Sequence, residues 1–272
     1  MQSQESWVDL RAFAAVDDAA DPAPLIRALD VGKASPAMRG VGDEILRRLR
    51  LPEARAVLDL GCGLGTDALA MAARLPRNGR VVGVDASRTM VAEATARAAG
   101  SDTRTAFTVG SALAVPFPDA SFDRCRAQAL LQHIPNAPDV IGEIYRILRP
   151  GGRAVAFEFD LGTTVIDHPD RPTTRTILDY VTDSALQGWI GRQLPRLYRE
   201  AGFTDVTATP IPVPNDYDLF MFTMRRPLAQ IVHDEVLGAR EVVRWVRQLE
   251  ELHEAGHYVG GSVGFLVSAE KN

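Results

Sequence analysis

Three glycines alternate with larger residues in VLDLGCGLGTD, residues 57–67, so the backbone there carries no side chain at Gly61, Gly63 and Gly65. A bare stretch of this kind lets main-chain groups approach a ligand where a Cβ would collide. The dinucleotide fingerprint G-x-G-x-x-G would require glycine at position 66, where Thr66 stands instead. Asp59 precedes the loop, and a second carboxylate, Asp85, follows 26 residues later. A nucleotide phosphate gains from clustered N–H donors alone, whereas a zwitterionic amino acid also needs an anion for its ammonium group, and Asp59 can supply one. Further along, Glu158 and Asp160 stand at the carboxyl end of a candidate strand, the end where open α/β sheets place ligands. Each is a candidate to orient an acceptor or to take a proton. The run DHPDRPTTR brings Asp167, His168 and Asp170 together, but its spacing is not that of a metal site, so no metal is expected.

Such residues must be held at one edge of a scaffold, and the chain supplies the pattern for it. Short β-branched runs at 55–60, 80–85, 105–110, 121–127 and 152–159 alternate with helical stretches at 66–75, 87–99 and 136–152, the rhythm of a parallel sheet covered by helices on both faces. The glycine loop falls between the first strand and the first of these helices. After position 160 the rhythm changes to a loop and two helices, then a strand from about 204 to 213, a mostly helical segment and a closing strand within HYVGGSVGFLVSAE. The expected organisation is an N-terminal helical cap over 1–50, built from WVDLRAF, PAPLIRALDVG and SPAMRGVGDEILRRLRL. A core over 51–213 includes a lid at about 160–190, followed by a helical insertion over 214–256 and a last core strand within 257–272. The fold class is α/β: a Rossmann-like, doubly wound, seven-stranded and mostly parallel sheet.

The run VLDLGCGLGTDALAMAARLPRNGRVVGVDASRTMVAEA, followed by VGSALAVPFPDASFDRCRAQALLQHIPNAPDVIGEIYRILRPGG, resembles the class I methyltransferases that use S-adenosylmethionine (SAM). Within them it is most similar to small-molecule enzymes akin to the ubiquinone/menaquinone C-methyltransferases, a group common in bacterial natural-product pathways. The ordered motifs cover residues 55 to about 160, and GRQLPRLYREAGFTDV fits the same group. The resemblance implies that Asp59, Gly61, Cys62 and Gly63 surround the methionine end of SAM and that Asp85 accepts both ribose hydroxyls. Ala86 and Met90 would flank the adenine, with Gly110, Ser111, Ala112, Ala127 and Gln128 completing the cofactor set. One departure stands out: the family commonly has Gly-Asp-Ala where this chain has Gly110-Ser111-Ala112. A neutral serine hydroxyl replaces the carboxylate that takes the adenine amino group, which weakens that bond by ~1 kcal/mol.

The activity implied is in-line displacement of the SAM methyl group onto carbon, oxygen or nitrogen of a small metabolite, leaving S-adenosylhomocysteine (SAH). A sulfonium needs little activation, so positioning supplies most of the rate, and a base adds about 100-fold where the acceptor must lose a proton. The family places substrate and cofactor contacts in RAQALLQHIP. There His133, with an ordinary pKa near ~6.5, is the candidate base or positioning group, ahead of Glu158 and Asp160. Gln132, His168, Trp189 and Arg192 are candidate acceptor contacts. The alternative is a SAM-binding enzyme on the same fold that cyclizes or rearranges its substrate without methyl transfer.

Bulk properties narrow the remaining classes. A net charge of -5 gives no broad field for a phosphate backbone, and basic spots such as Arg225-Arg226 and the arginines around Arg47 read as solvated helix faces. The Asn/Asp-Pro-Pro-Tyr/Phe/Trp motif of amino-directed nucleic-acid methyltransferases is missing after the fourth strand, so no nucleic-acid partner is expected. Two cysteines, no apolar run near membrane length and no secretory pattern at the start make a cytoplasmic protein without membrane insertion the expectation. The N-terminal helices could cover the site or pair two copies of the chain into a homo-oligomer.

Overall fold

The computed structural model describes Phe13, residues 15–100 and residues 104–272, so most of the helix expected at WVDLRAF lies outside it. Seven strands form one sheet in the order β3-β2-β1-β4-β5-β7-β6. They are β1 (Ala56–Leu60), β2 (Arg80–Asp85), β3 (Thr105–Val109), β4 (Phe122–Gln128), β5 (Leu148–Ile166), β6 (Thr204–Pro214) and β7 (Gly260–Glu270). β1 to β5 pair in parallel, and β7 runs antiparallel between β5 and β6. The chain leaves β1 toward β2 on one side and returns to β4 on the other, which opens a crevice above the carboxyl end of β1.

The helices divide between the two faces as the alternation of strand side chains dictates. On one face α2 (Pro36–Leu49) and α3 (Thr66–Ala72) bury Val41, Ile45, Leu49 and Met71 against Val57, Val81, Val155 and Phe157. On the other, α5 (Ala137–Ile147) and α7 (Ile190–Glu200) pack Ile141, Ile144, Leu194 and Tyr198 on Leu58, Leu60, Ala127 and Ala156. α4 (Arg88–Ala98) begins directly after β2, with the Ser87 hydroxyl accepting from the Met90 N–H at 3.1 Å as its cap. α1 (Ala23–Ala34) precedes α2, and the Ser35 between them caps α2 by accepting from the Met38 N–H.

One departure from the sequence reading falls in residues 160–190. β5 does not stop at Phe159; it continues to Ile166 because β7 offers it a partner there, with Val165 opposite Gly261 and a register irregularity after Asp160. The helix that follows, α6 (Arg171–Ser184), buries Ile177 in a separate cluster with Phe220, Met224 and Leu228 of α8 (Tyr217–His233) and Trp245 and Leu249 of α9 (Ala239–Glu254). The three helices thus form one small bundle that α6 anchors to β5.

Candidate cofactor and acceptor site

A cavity of about 490 Å³ runs across the carboxyl ends of the strands from Gly110 after β3 to Val213 in β6. Its floor is the glycine loop. Gly61 and Gly65 both take left-handed backbone, at φ +71° and +75°, and a Cβ would strike Leu130 at 2.8 Å in the first case and Phe107 at 2.6 Å in the second. Their bareness therefore serves the fold of the loop as much as any ligand. Gly63, at φ +48°, differs: its missing Cβ would meet only Leu29 of α1, at 3.7 Å, so this glycine keeps the cavity open.

Asp85 lines the cavity with both carboxylate oxygens fixed. Gly63 N–H donates to Oδ2 at 2.8 Å and Ser87 N–H to Oδ1 at 3.0 Å, while burial raises its pKa against those two bonds. The N-terminal segment is tied down beside it. The Ser87 hydroxyl and the Thr89 N–H donate to Asp17 Oδ1 at 2.6 and 3.1 Å, and the Arg88 N–H donates to Oδ2 at 2.8 Å. These bonds hold the Asp17 carboxyl well below the usual range and seat Phe13 and Val16 on the cavity wall.

Asp59 does not reach the cavity, contrary to the expectation from the sequence. Strand alternation turns its side chain under the loop, where it is fully buried and accepts from Arg126 Nη1 at 2.6 Å. Arg126 also bonds Asp67 and Gln128, and Lys33 of α1 bonds Asp67 from above. Burial raises the Asp59 carboxyl against the pull of Arg126, and it tends to raise Asp67 too, but the Arg126 and Lys33 cations hold Asp67 low. Lys33, Asp67 and Arg126 all line the cavity, and none was singled out from the sequence. The signal for Arg126 was there: an arginine inside a strand buried on both faces must find a carboxylate. Lys33 carried no such signal, since it meets Asp67 from 34 residues away.

Cys62, Ala86, Met90, Gly110, Ser111, Ala112 and Gln128 line the cavity as well, whereas Ala127 is packed into the core on the other face of the sheet. The Ser111 hydroxyl accepts from the Leu113 N–H at 3.1 Å. Burial pushes the Cys62 thiol up, which keeps it protonated and unreactive. Gln132 and His133 line the wall above β4, with their side-chain nitrogens 3.0 Å apart. Burial pushes His133 down to about 4, so its imidazole is neutral at pH 7.

The remaining candidates hold the wall up from behind. Glu158 is fully buried and accepts from the N–H groups of Leu130 and Leu131 at 2.8 Å and of Gln132 at 3.4 Å. It fixes the turn that presents Gln132 and His133, and burial pushes it up to about 7 against those bonds. Asp160 is likewise buried, gripped by Arg192 Nε and Nη2 at 2.6 and 2.7 Å. Trp189 stacks on that arginine at 4.4 Å, outside the cavity. His168 uses both ring nitrogens structurally, accepting from the Asp170 N–H at Nδ1 and donating to the Trp245 carbonyl from Nε2 at 3.1 Å. None of Glu158, Asp160, His168, Trp189 and Arg192 lines the cavity, and each has polar atoms engaged by other groups of the protein.

Residues 57–152 match the family described as a methyltransferase domain. The matched stretch runs from β1 through the glycine loop to the start of β5, so the likeness falls on the cavity floor. It is 36% identical over 104 residues to a demethylmenaquinone methyltransferase of Symbiobacterium thermophilum, an alignment that covers 38% of this chain and 41% of the relative. It is 38% identical over 119 residues to the 27-O-demethylrifamycin SV methyltransferase of Amycolatopsis mediterranei, covering 43% of each. The chain spans about half or less of the length of the curated relatives it matches first. Its fold superposes on the YcgJ protein of Bacillus subtilis with a TM-score of 0.61 at 18% identity, over 86% of this chain and 99% of the other.

The site fits the cofactor this family implies. The crevice lies where a nucleoside would meet Asp85, Gly63 leaves an open face, and Asp59 Oδ2 is buried without a hydrogen-bond partner beside the glycine loop. An amino-acid end placed there would find Lys33, Arg126 and Asp67 on the cavity wall, with Asp59 behind Arg126. Among the described residues, no cluster of three or more His, Cys, Asp or Glu is placed to hold a metal ion, and no helix is long and apolar enough to cross a membrane.

Proposed function

We propose that this chain transfers the methyl group of SAM to a carbon, oxygen or nitrogen atom of a small molecule by in-line displacement. The observation that carries this reading is the placement of Asp85 and the open face of Gly63 in one cavity with the Lys33–Asp67–Arg126 cluster. Bound SAM supplies an electrophilic methyl group whose leaving group is a neutral thioether. Asp85 accepts the ribose hydroxyls, Ala86 and Met90 enclose the adenine, and Ser111 takes a neutral bond at its edge. The Lys33–Asp67–Arg126–Asp59 cluster holds the amino-acid end, with Asp59 acting through Arg126.

His133 orients the acceptor. A neutral imidazole whose Nε2 accepts from the Gln132 amide carries its proton on Nδ1, from which it donates a hydrogen bond to the acceptor at pH 7. Calorimetric titration of the cofactor-stripped protein with SAM and with SAH tests the first part. Micromolar binding of both is expected, and binding of neither would overturn it. Conversion of SAM to SAH in the presence of acceptor then separates methyl transfer from a cyclization that leaves SAM intact. Once an acceptor is in hand, His133→Ala is expected to cut turnover about 100-fold with little change in SAM affinity.

A further inference from the structure

Among the described residues, four charged side chains line the cavity: Lys33, Asp67, Asp85 and Arg126. All four come from α1, the glycine loop with its helix, the end of β2, or β4. The other half of the same cavity, over β5, β7 and β6 and under α8, is lined by Phe159, Leu161, Val213, Leu219 and Phe220. Its polar groups, Asn215, Thr223 and Ser262, are all neutral. Thr223 turns its hydroxyl back onto the Phe220 carbonyl at 2.8 Å.

We propose that the acceptor is an uncharged, mainly apolar molecule that lies over β5, β7 and β6 and presents a single polar end to His133 and Gln132. The proposal rests on the charged half being the SAM site, which leaves only the second half for an acceptor. A carboxylate, phosphate or ammonium group buried there would shed its hydration and meet no counter-charge. The nearest opposite charges are already engaged: Lys33 and Arg126 with carboxylates, Asp85 with two backbone N–H groups. A neutral hydroxyl, enol or carbonyl-flanked carbon is satisfied by neutral donors and acceptors, and its apolar remainder gains from leaving water in proportion to area.

The test is a titration of the SAH-saturated protein with 4-hexylphenol, 4-hydroxybenzoate and phosphoethanolamine. The phenol is expected to bind at least tenfold more tightly than either charged probe. Leu219→Asp should weaken the phenol at least tenfold while SAH affinity stays unchanged. Leu219 sits half-buried in the first turn of α8, where a carboxylate favours the helix, so the variant is expected to fold. Binding of a charged probe as tightly as the phenol, no heat from the phenol at millimolar concentration, or indifference to Leu219→Asp would each overturn the proposal. Wild-type protein that takes the phenol but not SAH would instead keep the apolar half and remove the SAM reading of the charged one.

Discussion

The two halves of the cavity are built on opposite principles. Over β1, β2 and β4, polar side chains are paired before any ligand arrives: Asp85 with two backbone amides, and Arg126 with two carboxylates and an amide. Over β5, β7 and β6 the wall is apolar, and its carboxyl groups point backward, Glu158 onto the Leu130–Gln132 turn and Asp160 onto Arg192 of α7. The first half is preorganised to recognise one set of atoms, while the second relies on shape and on area removed from water. A half of the first kind suits a cofactor that does not change, and a half of the second kind can be resurfaced for a new acceptor without disturbing it.

Breaking the charged half should have the largest effect. Arg126→Met would leave Asp59 buried without its counter-charge, and urea unfolding should show a loss of ~3–5 kcal/mol. At the seam between the halves, Glu158 makes stability depend on pH. Its folded pKa of about 7 lies above the ordinary 4.5, so the folded protein holds this proton more tightly than the unfolded chain. The stabilisation is complete below pH 4.5 and is lost as pH rises through 7, a change of about 3 kcal/mol that Glu158→Gln should flatten in urea titrations from pH 5 to 8. Asp85→Ala should lower SAH affinity by about tenfold or more in calorimetry, since charge-assisted bonds to ribose disappear. Unchanged affinity would take Asp85 out of the cofactor half. The smallest effect sharpens the comparison: Ser111→Asp should tighten SAH by ~1 kcal/mol, bringing in a carboxylate that can still accept from Leu113 N–H.

Much of the frame was legible because it is written locally. Strand runs, the loop glycines and the cap serine at 87 announce themselves within a dozen residues, and the strands other than β5 fall close to where those runs place them. Asp85, Gly63, Met90 and His133 reached the cavity for the same reason, since each sits at or just beyond the carboxyl end of a strand. What could not be read was pairing across the chain. Whether Asp59, Glu158 or Asp160 faces ligand or core depends on Arg126, on the Leu130–Gln132 amides and on Arg192, and no local pattern ties them together. The same holds for Lys33, which meets Asp67 from a separate helix, and for α6, whose partners lie in α8 and α9.

β7 follows β6 in the chain, yet it lies between β5 and β6 and, among the described residues, is the one strand that pairs with β6. A chain emerging from the ribosome can therefore assemble β1 to β5 with the glycine loop and Asp85 while the opposite wall does not yet exist. Val213 and Ser262 come together only after residues 260–270 have been made and threaded into place, the long-range pairing that folds slowly. On this order of events a nascent chain gains the charged half of its cavity well before the apolar half.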